Sequence, residues 1–293
     1  MYDISAIYEA KSVSDAVSLR VEPPDAVIIA GGSDVLIKIR EGKLSGAELI
    51  SIYKLDELRG VSMDDDGTIR ILPLTSFSHI TANPILREHM LVLCEAADKV
   101  GGPQIRNIGT IGGNISNGVT SADTASTLHA WDAEVELTGP DGVRRITLRE
   151  YQVGAGRVDL RPGELLTAIL IKKENYEGYF GHYIKYSMRS AMDIATLGCS
   201  VNVKLSADKT VFEDVRVAFG VAAPTAIRSH SAELAAKGKP VCEETFMACA
   251  DAALNDVMPR TSWRATKEFR LQLVHELTLR ALRESVRLAG GVL

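Results

Sequence analysis

Two pairs of adjacent glycines, each followed by small polar residues, constrain most strongly how this 293-residue chain can fold. The first pair, Gly31 and Gly32, follows a compact apolar run and precedes Ser33 and Asp34. The second pair lies in the segment 109–114, which reads GTIGGN. Because glycine has no β-carbon, backbone N–H groups in such segments can approach an anion closely. Two such segments predict a site for the two phosphates and the sugar of a large dinucleotide; two tight turns are the alternative.

The sequence lacks the motifs of the two commonest nucleotide-binding folds. No G-x-x-x-x-G-K-[ST] pattern occurs, which argues against a P-loop. Gly154 and Gly156 begin a G-x-G pattern, but the third glycine is missing and no clear βαβ unit surrounds them. A Rossmann fingerprint is therefore not supported.

Composition and charge exclude several other classes. The formal net charge of −5 gives no electrostatic footprint for nucleic acid, and no apolar run approaches the roughly 18 residues of a membrane span. The first residues lack the features of a signal peptide, so we expect a cytoplasmic protein. The four cysteines form no C-x-x-C pair or metal-binding pattern, which predicts reduced, mostly buried thiols.

Hydrophobic periodicity predicts a mixed α+β chain, and a shift to aromatic, glycine and charged residues around 174–181 predicts a boundary between two domains, 1–175 and 176–293. In the first domain we expect strands over 26–30, 48–52, 68–74 and 165–171, a hairpin over 133–147, and helices over 14–19 (with Ser14 as a cap), 84–100 and 126–131. In the second domain we expect a meander over 182–188, 195–205 and 212–221, covered by helices over 246–257 and 261–288.

The segment AGGSDVL over 30–36, followed by Gly112-Gly113-Asn114, resembles the FAD-binding subunit of molybdenum hydroxylases, a family that includes xanthine and carbon monoxide dehydrogenases. The further matching segments, in the expected order, are GPQIRN over 102–107, TSAD over 120–123, MDI over 192–194 and AFGVAAPT over 218–225. The stretch SWRATKEFR over 262–270 most resembles the separate medium subunit of bacterial xanthine dehydrogenases.

The resemblance implies a two-subdomain FAD-binding fold of the PCMH/vanillyl-alcohol oxidase type, with subdomains of about 1–56 and 57–175, followed by a domain like the C-terminal domain of the carbon monoxide dehydrogenase flavoprotein. It implies noncovalent FAD, NAD as electron acceptor, and partner subunits that carry the molybdenum cofactor and two-iron iron–sulfur clusters. The implied activity is xanthine or hypoxanthine oxidation. Two alternatives stay open: the flavin subunit of a carbon monoxide, nicotinate or aldehyde dehydrogenase, and a stand-alone flavin-binding module without turnover.

The resemblance also implies which residues contact the cofactor. The residues expected around the FAD pyrophosphate are Val27, Ile28, Ile29, Ala30, Gly31, Gly32, Ser33 and Asp34 on one side, and Gly109, Thr110, Ile111, Gly112, Gly113 and Asn114 on the other. Leu166 matches a backbone contact. Val100 stands where some relatives carry an aromatic ring against the adenine. We expect no catalytic residue or metal ligand in this chain, because the flavin carries the redox chemistry.

Two charged residues complete the implied site, and each has a structural alternative. Asp123 matches the family's acid near the FAD ribose, since a carboxylate accepts well from two vicinal hydroxyls. A helix N-cap is the alternative reading of Asp123. Lys185 matches a lysine beside the flavin, where its charge would stabilise the reduced ring. A solvated strand lysine is the alternative.

Other charged residues in the C-terminal half favour surface roles. Arg189 and Asp193 lie in a loop between predicted strands and predict a surface ion pair, with a nicotinamide or partner contact as the alternative. The cations assigned to the last helix are Arg260, Arg264, Lys267, Arg270, Arg280, Arg283 and Arg287. They predict a solvated face that an acidic partner subunit could also use.

Overall fold

The structure is a computed structural model that describes residues 2–22 and 25–291. Its first layer, at the N-terminus, is a small parallel sheet. Its strands are β1 (Ile4–Glu9), β2 (Val27–Ile29) and β3 (Ala47–Ser51), in the order β1-β3-β2. The connecting helices are α1 (Val13–Leu19) and α2 (Val35–Arg40), and a 3₁₀ turn follows over Asp56–Leu58. The hydroxyl of Ser12, not that of the predicted Ser14, caps α1 by accepting a hydrogen bond from the Asp15 N–H.

The second layer is a five-stranded antiparallel sheet in the order β4-β5-β8-β6-β7. Its strands are β4 (Val61–Met63), β5 (Ile69–Ile71), β6 (Glu134–Gly139), β7 (Gly142–Thr147) and β8 (Leu165–Ile171). The predicted hairpin and the predicted strand 165–171 are confirmed. Every residue of β8 is buried, because the strand lies in the centre of the sheet.

Helices between β5 and β6 cover this sheet and carry the second glycine pair. They are α3 (Phe77–Ala82), α4 (Pro84–His89), α5 (Leu91–Asp98), α6 (Pro103–Ile108), α7 (Ile111–Ser116) and α8 (Asp123–Ala130). The predicted single helix over 84–100 is wrong: it breaks at Met90, whose φ of −139° and ψ of 47° are not helical. The apolar pattern continues through the break, because the Met90 side chain is itself fully buried.

The remaining chain forms a third sheet covered by helices. After the short helices α9 (Leu148–Tyr151) and α10 (Lys173–Tyr176) come β9 (Phe180–Tyr186), β10 (Leu197–Leu205), β11 (Phe212–Gly220) and β12 (Ile227–Arg228). The predicted antiparallel meander is confirmed. Helices α11 (His230–Ala236), α12 (Glu243–Ala253) and α13 (Lys267–Leu288) pack on it through one apolar core. The helix predicted from 261 begins at Lys267, because the side chain of Thr266 caps it.

The contact between the second and third layers is partly polar. A single carboxylate oxygen of Glu95 in α5 accepts from the Tyr183 N–H and lies 3.0 Å from His182 Nδ1, both on β9.

The division of the chain at residues 175 and 176 stays a prediction. The cysteines are free thiols, three of them buried, as the sequence predicts. Within residues 2–22 and 25–291, no helix is long and apolar enough to cross a membrane.

Candidate functional site

The two glycine segments face each other across a cleft of about 540 Å³. One wall consists of β2 and the start of α2, and the other of residues 109–117 with parts of α3 and β8. A cleft of this size lies within the range of small-molecule and cofactor sites. Among the predicted cofactor contacts, those that line it are Val27, Ile28, Ala30, Gly31, Gly32, Ser33, Asp34, Gly109, Thr110, Gly112, Gly113, Asn114 and Leu166.

Glycine is required at Gly31 and Gly112 because the chain packs against itself there. A β-carbon on Gly31 would overlap the carbonyl oxygen of Ile108, and one on Gly112 would overlap Pro73. Gly32 has a φ of +76°, a conformation that residues with side chains rarely adopt. These glycines therefore bring the two walls together as well as clearing space in the cleft.

The first glycine segment presents unused hydrogen-bond donors. Within the described residues, the backbone N–H groups of residues 31–35 donate to no acceptor of the chain. Asp34 precedes α2 without a side-chain cap, so the first N–H of that helix, on Val35, is one of these donors, whereas the Leu36 N–H donates to the Gly32 carbonyl at 3.0 Å. Consecutive free N–H groups around a glycine with positive φ form a concave site for an anion. That residues 27–34 lie around the FAD pyrophosphate stays a prediction, and this arrangement gives residues 31–34 the donors that it needs.

The second glycine segment begins a helix, which corrects our expectation that its backbone N–H groups are free to approach an anion. Gly112 and Gly113 lie in the first turn of α7, and Thr110 caps that helix by accepting from the Gly113 N–H at 3.1 Å. The N–H groups of Ile111, Gly112 and Asn114 donate to carbonyl oxygens of the chain. A β-carbon on Gly113 would meet only the Thr110 hydroxyl, at 3.0 Å. This wall therefore offers space for a ligand rather than backbone donors, and the side chains of Asn114, Ser116 and Asn117 also line it.

Four predicted contacts lie outside the cleft lining. Ile111 is fully buried in the core, and Ile29 is a partly buried residue of β2. Asp123 and Lys185 form a buried pair outside the lining, and the Lys185 ammonium also donates to the Lys99 carbonyl at 2.9 Å. Because Val100, the next residue, does line the cleft, the pair is linked to the cleft through the backbone of residues 99 and 100.

The Asp123–Lys185 pair is one of the most buried ion pairs in the described chain. Its N–O distance is 2.9 Å, with side-chain exposures of 6% for Lys185 and 7% for Asp123. The buried Tyr183 hydroxyl donates to the other oxygen of Asp123 at 2.9 Å. Burial raises the pKa of Asp123 above its usual value, while Lys185 and the Tyr183 hydroxyl act against that rise.

Both structural alternatives for these residues are wrong. Ala122 is the N-cap of α8, and the Asp123 side chain makes no cap hydrogen bond, because both of its oxygens accept from β9. Lys185 is not a solvated strand lysine, since its ammonium is enclosed between Asp123 and the Lys99 carbonyl. By contrast, the predicted surface pair of Arg189 and Asp193 is confirmed, with an N–O distance of 3.6 Å on an exposed loop.

Sequence reasoning missed two cations of the cleft, Arg20 and Lys38. Arg20 follows α1 and has no carboxylate partner among the described residues; burial lowers its pKa. Lys38 donates to the Asn117 side chain at 2.6 Å and so joins the two walls. Lys38 lies one turn after Asp34 in α2, and that spacing could have identified it.

Comparison with known families gives two matches that together span most of the chain. A model described as the FAD binding domain in molybdopterin dehydrogenase matches residues 2–172, and one described as the CO dehydrogenase flavoprotein C-terminal domain matches residues 182–285. The chain belongs to the FAD-binding subunit family of molybdenum hydroxylases. The α+β fold implied by the resemblance is thereby confirmed.

Individual relatives of this flavin subunit agree with the family match. The chain is 41% identical over 293 residues, all of both proteins, to the putative xanthine dehydrogenase FAD-binding subunit of Escherichia coli K12. It is 35% identical to the nicotinate dehydrogenase FAD-subunit of Eubacterium barkeri over 62% of each protein. A solved carbon monoxide dehydrogenase from Hydrogenophaga pseudoflava superposes with a TM-score of 0.91, at 29% identity, covering 97% of this chain and 98% of that one.

The cleft of this flavin subunit fits FAD on its own chemistry. The free N–H groups of residues 31–35 suit a diphosphate, and a β-carbon at Gly113 would enter the space opposite them. Apolar side chains from Phe77, Val100 and Leu166 suit the flat rings of such a ligand.

Proposed function

We propose that this subunit holds FAD noncovalently in the glycine cleft and passes electrons from iron–sulfur clusters on a partner chain to NAD⁺. In this proposal, xanthine or hypoxanthine is oxidised at a molybdenum cofactor on another partner. The observation that carries it is the full-length 41% identity to the putative xanthine dehydrogenase subunit of Escherichia coli, compared with 29% over 93% of the chain for the carbon monoxide dehydrogenase medium chain of Hydrogenophaga pseudoflava.

The residues of this chain would hold and orient the cofactor. The N–H groups of residues 31–35 would donate to the pyrophosphate, and the bare Cα of Gly113 would let the cofactor lie close to α7. Bound FAD would supply the exchange between single-electron carriers and a two-electron acceptor. The buried side chains along the cleft would keep water from the rings.

Asp123 and Lys185 enter the proposal as groups joined to the cleft through the Lys99 carbonyl and its neighbour Val100. Lys185 is fixed by Asp123 and by the Lys99 carbonyl, so its ammonium is held next to a residue of the cleft lining. The pair has no net charge, so it favours the reduced, anionic form of a flavin only when the ammonium is nearer to the ring than the carboxylate. We therefore propose that the flavin ring, rather than the adenine, lies near Val100, with the ammonium of Lys185 towards it.

FAD should leave the protein when the protein is denatured. Among the described residues that line the cleft there is no cysteine or histidine, the side chains that attach flavins covalently in other proteins. Acid precipitation of the yellow subunit should therefore release all of the flavin into the supernatant. Flavin that stays with the pellet after repeated washing would contradict noncovalent binding, and a subunit that never takes up FAD would contradict the cofactor assignment.

NADH should reduce the FAD of the isolated subunit, whereas xanthine should not. Hydride transfer from NADH needs only an accessible flavin face, while xanthine oxidation needs the molybdenum cofactor of a partner. Stopped-flow absorbance of the flavin band after mixing with each compound measures both. Bleaching by xanthine alone would contradict the division of labour between subunits. A flavin that NADH leaves oxidised would favour the carbon monoxide or nicotinate dehydrogenase type, with another acceptor.

A further inference from the structure

Cations without carboxylate partners gather where the chain enters α13. Residues 254–266, between α12 and α13, have no regular secondary structure. In the described chain, no carboxylate oxygen lies within 4.0 Å of the side-chain nitrogens of Arg260, Arg264 or Arg270. Further along α13 the arginines differ, since each is paired with a glutamate; they are Arg280, Arg283 and Arg287. Among these arginines, those without a carboxylate partner therefore lie in the segment before α13 and in the first turn of that helix.

Arg270, which the sequence placed on a solvated face, is buried and organises this region. Only 2% of it is exposed. Its guanidinium donates to the Arg260 carbonyl at 2.6 Å and to the Ser262 hydroxyl at 2.8 Å, and its Nε has no partner among the described residues. Burial and the charges of Arg260 and Arg264 lower the pKa of Arg270. The Arg270 guanidinium thus fastens Arg260 and Ser262 of this segment to the first turn of α13.

Large apolar side chains are exposed beside these cations. Trp263 is 77% exposed, and the Arg264 guanidinium carbon lies 4.1 Å from the centre of its ring. Phe269 and Tyr186, both more than one third exposed, meet edge to face at 5.7 Å. We call Arg260, Trp263, Arg264, Phe269 and Tyr186 the arginine–tryptophan surface. Tryptophan, tyrosine and arginine are the residue types that contribute most to protein interfaces.

We propose that the arginine–tryptophan surface docks an acidic face of a partner chain of the complex, with Trp263 as the apolar anchor and Arg260 and Arg264 pairing with carboxylates. The proposal rests on the proposed function insofar as the chain acts as a subunit. Charge complementarity supports it: the chain as a whole carries −5, so an acidic partner is repelled elsewhere and attracted here. The hydrogen bonds of Arg270 to Arg260 and Ser262 also support it, because a segment that is already ordered loses less conformational entropy when a partner binds.

Charge reversal at matched positions tests the proposal. Arg264→Glu and Arg287→Glu change the net charge by the same amount, but only Arg264 belongs to the surface, and Arg287 is paired with Glu284. The tagged subunit is co-expressed with the molybdenum-cofactor and iron–sulfur chains of its complex, and partner recovery and dissociation constants are measured. We expect Arg264→Glu to weaken assembly at least about tenfold, and Arg287→Glu to leave it unchanged.

Trp263→Ala is the second variant, because this exposed side chain contributes little to the fold. It should also weaken assembly at least about tenfold, with unchanged thermal unfolding. The proposal is overturned if both surface variants bind the partner chains as tightly as the unaltered chain. It is also overturned if Arg287→Glu weakens assembly as much as Arg264→Glu does, or if the unaltered chain recovers no partner. FAD content is measured on each isolated variant. Loss of FAD from the unaltered chain would contradict the proposed function but not the docking surface.

Discussion

Gly113→Val is expected to lower the affinity of the subunit for FAD at least about a hundredfold, which corresponds to about 2.8 kcal/mol. The glycine has helical backbone angles in α7, so valine is tolerated by the backbone, and its β-carbon would meet only the Thr110 hydroxyl. The added methyl groups would occupy the space opposite the free N–H groups of residues 31–35. Fluorescence titration of the apoprotein with FAD measures the effect.

Ala248→Val is the matched control for this substitution. Ala248 is an exposed residue of α12, so the change adds a β-branched side chain to a helix without touching the cleft. Ala248→Val should lose about 1 kcal/mol or less of unfolding free energy, because valine is a poorer helix former than alanine. Gly113→Val loses nothing through helix propensity, because glycine is the poorer helix former, and its only new close contact is with the Thr110 hydroxyl at 3.0 Å. If Gly113→Val binds FAD as tightly as the control, α7 does not form a wall of the cofactor site.

Lys185→Met is expected to destabilise the fold by about 3–5 kcal/mol near neutral pH, because it leaves Asp123 as a buried carboxylate without its cation. For a chain of this size, that loss lowers the midpoint of thermal unfolding by roughly 6–20 °C. Lys237→Met is the matched control. Lys237 also lies 2.9 Å from a carboxylate, that of Asp214, but 58% of its side chain is exposed, so its removal should cost about 1 kcal/mol or less.

The deficit of Lys185→Met should shrink on acidification. Burial already raises the pKa of Asp123 in the folded protein above its value in the unfolded chain. The folded protein is therefore most stable below the unfolded pKa of this carboxyl, and that stability is lost as pH rises through its folded pKa. Removing Lys185 removes a group that lowers this pKa, so the pKa rises further and the loss extends to higher pH. Thermal unfolding compared at about pH 5 and about pH 8 measures the change. A deficit equal to that of Lys237→Met at both pH values would show that the pair is hydrated in solution.

The sequence predicted most elements whose pattern is local. The hairpin of β6 and β7, the strand β8 and the meander of β9 to β11 follow from alternating or continuous apolar runs bounded by turns. The helix break at Met90 could not be predicted, because a buried methionine continues the apolar pattern. The start of α13 was misplaced for a different reason, since two good helix formers, Arg264 and Ala265, directly precede the Thr266 cap.

The sequence by itself determined the family, the fold class and the two glycine segments, because these depend on motifs and on apolar periodicity. Only the tertiary structure decided which segment offers donors, since the N–H groups of residues 111–114 are used by carbonyl and hydroxyl oxygens brought in by folding. It likewise decided that Asp123 and Lys185 form a buried pair and that Arg270 is enclosed. Burial and pairing arise between residues far apart in the chain, and no local pattern records them.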